Sequence, residues 1–121
     1  MIGSMKNTER IEQIKQTVLK GVKSKRKGVQ LDNWLNFLEK ELKFPFEASI
    51  QDSENFELKW KDIIKVKKIE DFADMYGILL EIRKGKRKYI FPLCDLEVVE
   101  KQSKNRFVID AFLEWWTEKY L

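Results

Sequence analysis

The sequence predicts an α+β protein, a small, strongly bent (SH3-like) antiparallel β-barrel flanked by two N-terminal helices and one C-terminal helix. Three observations carry this. Apolar residues recur at spacings of three and four before Pro45 and of two after it. Turn residues then interrupt the chain at roughly eight- to twelve-residue intervals, as in small barrels. A final segment returns to helical spacing with an apolar arc wide enough for heavy burial. With 121 residues, a single domain over 1–121 is expected, helical over 8–43, barrel over 46–100 and helical again over 106–120.

Met1-Ile2-Gly3-Ser4, ahead of a second methionine, reads as a cloning remnant and is set aside. From Thr8, an expected N-cap, Ile11, Ile14, Val18 and Val22 form one face of a first helix, with Glu9 and Glu12 in its first turn. Lys20 to Lys27 carries five positive charges and one apolar side chain between Gly21 and Gly28, so it reads as a helix end and loop. Gln30 or Asp32 is expected to start the second helix. Its stripe is Leu31, Trp34, Leu35, Leu38 and Leu42, and Pro45 stops it.

Phe46, Ala48 and Ile50 then alternate with polar residues, and Gln51 to Asn55 supplies a turn. Phe56, Leu58 and Trp60 read as the start of a strand continuing through Ile64 and Val66, and Glu70 to Tyr76 as an acidic loop. Ile78, Leu80 and Ile82 return across a Lys84-Gly85 turn to Tyr89, Phe91 and Leu93, which makes a hairpin. Pro92 cannot donate to a ladder and marks a strand end before Leu96, Val98 and Val99. The last helix, Arg106 to Leu121, carries Phe107, Val108, Ala111, Phe112, Trp115 and Trp116, with Asp110, Glu114 and Glu118 as its solvated stripe.

Composition removes whole classes of chemistry. The chain has 24 Lys and Arg against 20 Asp and Glu, net +4, no His and one Cys. Without imidazole there is no Ser-His-Asp or Cys-His relay and no His-liganded zinc. Cys94 alone makes no intrachain disulfide, fits a reducing cytosol and reads as a packed or edge thiol. No phosphate loop or nucleophile elbow is present, so neither an enzyme nor a small-molecule substrate is expected. No apolar run reaches the roughly 18 residues of a membrane span, and a cytoplasmic protein without a membrane partner is expected. Of the four tryptophans, Trp34, Trp115 and Trp116 lie on helical stripes and read as core, with the adjacent pair divided between core and surface. Trp60 lies outside the helices.

Two sets of charged residues remain as candidate sites. Lys59, Lys61, Lys65 and Lys67, with Arg83, Lys84, Lys86, Arg87 and Lys88, would give a barrel a basic face beside Tyr76 or Tyr89. That suits single-stranded nucleic acid or an acidic protein. Carboxylates cluster as Glu47, Asp52, Glu54 and Glu57, as Glu70, Asp71 and Asp74, and as Asp95, Glu97 and Glu100. Loop carboxylates suit a hard cation, because Ca2+ takes six to eight oxygens, although no EF-hand pattern occurs. Asp71 and Asp74, spaced for chelation, are the first choice, with Glu70 and Asp52 or Glu54 completing the set where the two loops meet. A partner adaptor leaving no short motif is the third reading.

The junction Phe44-Pro45-Phe46-Glu47-Ala48 resembles an element of the small bacterial calcium-binding proteins of the CcbP type, first known from cyanobacteria. So do Tyr76-Gly77-Ile78-Leu79-Leu80-Glu81-Ile82-Arg83 and Phe91-Pro92-Leu93-Cys94-Asp95-Leu96-Glu97, and the tryptophan-bearing last helix is similar. The likeness spans about Leu31 to Trp116. It implies a compact barrel-like domain with flanking helices that binds Ca2+ through surface carboxylates and catalyses nothing. Glu47, Asp71, Asp74, Asp95 and Glu97 both fit it and bear oxygens. Those calcium binders are acidic, whereas this chain is net positive, so the expected Ca2+ affinity is weak.

Overall fold

The computed structural model describes residues 7–23, 25–73 and 76–120, which leaves the expected remnant at 1–4 and Asp74 outside the described residues. The chain divides into two compact units, Met1–Leu42 with Gln102–Leu121, and Lys43–Lys101.

The first unit is helical. α1 spans Asn7–Leu19, α2 Lys27–Glu41 and α3 Lys104–Tyr120. Thr8 lies within α1 rather than capping it. α1 ends where Gly21 takes a positive φ of 78°, a conformation glycine adopts without a Cβ penalty. α2 starts at Lys27, a turn earlier than Gln30 or Asp32, with Arg26 at its N-cap. Gly28, expected outside the helix, is in its first turn, where its propensity penalty of about 1 kcal/mol is tolerated. The helix stops at Glu41, and Leu42 is already extended three residues before Pro45. Ser103 Oγ accepts from the Arg106 amide at 3.1 Å and so caps α3.

Trp34, Leu31, Leu38, Phe112 and Trp115 are essentially inaccessible to solvent and form the centre of this unit. The Trp34 and Phe112 rings meet edge to face, 5.6 Å apart at 74°. Trp116 is buried along with Trp115, so the adjacent pair is not divided between core and surface. The acidic stripe of α3 is also more than a solvated face: Glu114 and Glu118 accept from buried Lys15 of α1 at 3.2 and 2.9 Å.

The second unit is a five-stranded antiparallel sheet. β1 is Phe46–Ile50, β2 Ile63–Ala73, β3 Gly77–Lys84, β4 Arg87–Pro92 and β5 Leu96–Val98, in the order β4-β3-β2-β1-β5. The ladder has two ends, so no pairing of β4 with β5 closes the sheet as the expected barrel would require. The expected hairpin is present between β3 and β4, with Gly85 at φ 62° in its turn. Pro92 ends β4, and Leu93–Asp95 form one 3-10 turn before β5.

Two further expectations fail in this unit. Residues 56–62 are a looped segment, not strand, and only Leu58 of the three alternating apolar side chains is buried. Local side-chain bonds hold the backbone there: Asn55 Oδ1 accepts from the Glu57 amide and Asp62 Oδ2 from the Lys59 amide, with Lys61 at φ 69°. Conversely, Glu70 to Ala73, read as loop, belong to β2. The register against β3 shifts between Val66 and Lys68 and again between Ile69 and Asp71. Two bulges therefore set Val66, Ile69 and Phe72 opposite Ile82, Leu80 and Ile78 at intervals of three, which a strict period of two does not detect.

Candidate functional site

The 3-10 turn Leu93–Asp95 is fixed from three sides. Leu93 is buried and anchors it. The Gln51 amide donates to the Asp95 carbonyl at 2.8 Å, just beyond the Ile50–Leu96 pair of β1 and β5. The Cys94 thiol contacts the Tyr76 carbonyl and Asp95 Oδ1, both at 3.9 Å. The start of the 51–62 loop and the β2–β3 connection thus meet at this turn.

Asp52 and Asp95 are brought into electrostatic contact by that arrangement. Burial raises the Asp95 carboxyl above its usual range, and the negative charge of Asp52 raises it further. The same two causes act on Cys94, where burial and the charge of Asp95 push the thiol up to about 11. With its proton held this firmly the free thiol is a poor nucleophile at neutral pH, and the carboxylates are the ready ligands of this corner. The corner therefore offers hard oxygen donors, which suits Ca2+ or Mg2+ chemistry better than Zn2+.

The other acidic candidates lie elsewhere. Glu70 and Asp71 are exposed on β2, with Glu70 paired to Lys68 at 3.5 Å and Asp71 Oδ1 accepting from the Phe72 amide at 2.8 Å. Glu54 is exposed in the loop, and Asp74 lies outside the described residues. Among the described residues no three acidic, cysteine or histidine side chains form a group poised to hold a metal. Asp52 acts electrostatically on Asp95, which the sequence placed in a different carboxylate cluster, because their approach follows from the pairing of Ile50 with Leu96, 46 residues apart.

The basic candidates divide. Glu81, buried on β3, receives Arg83 Nε at 3.7 Å and Lys88 Nζ at 3.3 Å. Lys84 Nζ donates to Asp62 Oδ2 and to the Glu57 carbonyl, each at 2.7 Å. Glu57 Oε2 accepts from Tyr89 at 2.6 Å and Arg87 Nη1 at 3.0 Å, which holds its carboxyl below the usual range, Tyr89 being the larger cause. Lys59, Lys61, Lys65, Lys67 and Lys86 are exposed. Lys65 and Lys67 line a polar groove of about 450 Å3 with Glu47, Ile63, Arg83 and Gly85. Tyr89 is engaged by Glu57, whereas Phe56, Trp60 and Tyr76 stand in solvent.

A family model described as calcium binding, Calci_bind_CcbP, matches residues 12–117. No curated protein matches the chain in sequence. The solved structure of Anabaena CcbP is similar, with a TM-score of 0.70 at 18% identity over 96% of this chain and 95% of that one. A structure of a calcium-binding protein in the calcium-binding form gives a TM-score of 0.68 at 19% identity, over 97% and 99%. At these identities the structural likeness is one of fold.

Proposed function

The chain belongs to the CcbP calcium-binding family, and on that premise we propose that it is a non-enzymatic Ca2+-binding protein of the reducing cytosol. The corner at Asp52 and Asp95 is the place we assign to the ion. The observation that carries this is the turn geometry: the Gln51 amide bonded to the Asp95 carbonyl sets Asp52 near the partly buried Asp95, so that like charges repel there and a divalent cation would offset both. Asp52 and Asp95 would hold it. Backbone carbonyls and water would complete the six to eight oxygens that Ca2+ takes. Few protein carboxylates and a net charge of +4 make this a weak site. Glu70, Asp71 and Glu54 are assigned a lesser role, since Glu70 is already paired to Lys68.

Nucleic-acid or acidic-protein binding through the lysine faces is the weaker reading, because Arg83, Lys84, Arg87 and Lys88 are already ion-paired within the molecule.

Calorimetry and thermal melting with Ca2+, and with Mg2+ for comparison, test the proposal. Binding heat and a rise in Tm are expected for the wild type, lost in Asp52→Asn/Asp95→Asn and kept in Glu70→Gln/Asp71→Asn. Loss in the second variant alone would move the ion to β2. Absence of both heat and a Tm rise in the wild type at millimolar-scale Ca2+ sinks the proposal.

A further inference from the structure

The 51–62 loop holds two aromatic side chains away from the protein. Phe56 is 86% exposed and Trp60 66%, the two highest values among the exposed large apolar residues. Their exposure is imposed by an ordered backbone. The Ser53 hydroxyl and Asn55 carboxamide close the turn ahead of Phe56, and Asp62 accepts from the Lys59 amide behind it. Lys84, Arg87 and Tyr89 of the β3–β4 hairpin then fasten Glu57 and Asp62 to the sheet. Phe56, Lys59, Lys84 and Arg87 line one cleft, and the Lys61 ammonium sits 4.4 Å from the Trp60 ring centroid.

The charge around these rings has one sign in excess. Over the 51–62 loop and Lys84–Lys88, the cations are Lys59, Lys61, Lys84, Lys86, Arg87 and Lys88 against Asp52, Glu54, Glu57 and Asp62, with Lys84, Arg87 and Lys88 ion-paired to Asp62, Glu57 and Glu81. Fixed aromatic side chains ringed by cations match an interface that is apolar just below a negative surface. The degree of exposure separates this from base stacking. A stacking platform lays a ring against the protein with one face free, whereas Phe56 is 86% exposed and Trp60 has a lysine over its ring.

We propose that the Phe56–Asp62 loop and the β3–β4 hairpin form a peripheral docking surface for anionic lipid bilayers. Phe56 and Trp60 enter the headgroup region, and Lys59, Lys61 and Lys86 lie over the anionic headgroups. No helix among the described residues is long and apolar enough to cross a membrane, so attachment is at the surface and reversible. This reading does not depend on calcium binding, and its test is run with chelator present.

Vesicles of phosphatidylcholine with and without phosphatidylserine are mixed with the full chain at low and physiological salt, and the bound fraction is measured by co-sedimentation. Binding is expected only with phosphatidylserine and is expected to weaken with salt. Phe56→Ser/Trp60→Ser, both at exposed positions, should weaken it about tenfold or more at unchanged Tm. Lys59→Glu/Lys61→Glu/Lys86→Glu should abolish it. Equal binding of wild type and Phe56→Ser/Trp60→Ser overturns the proposal, as does no binding at low salt. Tight binding of a single-stranded oligonucleotide without vesicle binding overturns it in favour of nucleic acid.

Discussion

Lys84 Nζ donates to Asp62 Oδ2 at 2.7 Å and so ties the end of β3 to the loop that precedes β2. The same ammonium reaches the Glu57 carbonyl at 2.7 Å, so one side chain fixes both ends of a six-residue stretch, Glu57–Asp62. That stretch carries Trp60 and follows Phe56 directly, and its conformation therefore depends on a contact from the hairpin.

Asp62 ionisation is expected to control the order of this loop. Its carboxyl is held below the ordinary aspartate range, first by the Lys84 hydrogen bond and then by the Lys59 amide. A depressed folded-state value means the stabilisation is full above the unfolded-state value and is lost as pH falls through the folded one. Amide exchange at Leu58 to Asp62, taken relative to the unfolded chain at the same pH, should therefore quicken on acidification below the ordinary aspartate range. Lys84→Ala should produce the same quickening at neutral pH with little change in Tm. Unchanged exchange in Lys84→Ala would remove the tie from the account.

Asp95 is expected to behave in the opposite sense. Its raised folded-state value, from burial first and Asp52 second, means the ionised carboxylate opposes folding. That penalty is full above the folded-state value and disappears as pH falls below the unfolded one. Asp95→Asn should stabilise the calcium-free protein at neutral pH by about 0.5 kcal/mol, a small figure because solvent screens a partly exposed pair. Denaturant midpoints at neutral and mildly acidic pH measure it. A loss of stability in Asp95→Asn at neutral pH contradicts the prediction.

Lys15 makes α1 and α3 interdependent. Burial works against its charge, but the hydrogen bonds and charges of Glu118 and Glu114 prevail and raise its value. A raised lysine contributes stability that is full below the unfolded-state value and is lost as pH rises through the folded one. Lys15→Met should cost about 1 kcal/mol near neutrality, the glutamates being partly exposed. It should also flatten the fall in stability above the ordinary lysine range, read from melting curves in alkaline buffers.

Phe112 is fully buried against Trp34, Trp115 and Trp116. Phe112→Ala should cost about 3–5 kcal/mol, from lost transfer energy and the cavity left behind. Phe56→Ala, at the most exposed large apolar side chain among the described residues, should change stability by less than about 0.5 kcal/mol. Urea unfolding of the two variants separates a core ring from a surface one.

Where side-chain period matched the local geometry, the fold was legible along the chain. The stripe Leu31, Trp34 and Leu38 and the alternation Ile78, Leu80 and Ile82 are buried as their spacing implies. The period misled at two places. Phe56 and Trp60 alternate like strand residues but are turned outward by side-chain bonds from Asn55 and Asp62 that compete with the ladder. Ile69 and Phe72 fall out of step through two bulges, so Asp71, one of the two first choices for a metal, and Glu70 beside it sit on a strand. The metal candidates were only half visible for the same reason. Asp52 and Asp95 were named in separate clusters, and the pairing of β1 with β5 is what brings them near one another.

By itself the sequence determined which chemistries are open. An absent histidine and a single cysteine leave hard oxygen donors and lysines, and this follows from composition whatever the fold. The blocks Phe44–Ala48, Tyr76–Arg83 and Phe91–Glu97 also carried the family likeness that the model match over residues 12–117 establishes. Only the tertiary structure decided which charges are free to act. Net +4 is a sum over the chain, but contacts between distant residues assign each charge a partner or leave it exposed. Glu81, Glu57 and Asp62 pair with Arg83, Lys84, Arg87 and Lys88, while Lys59, Lys61 and Lys86 stay exposed and Asp52 acts on Asp95. Electrostatic energy depends on distance and burial, and neither is written in the order of residues.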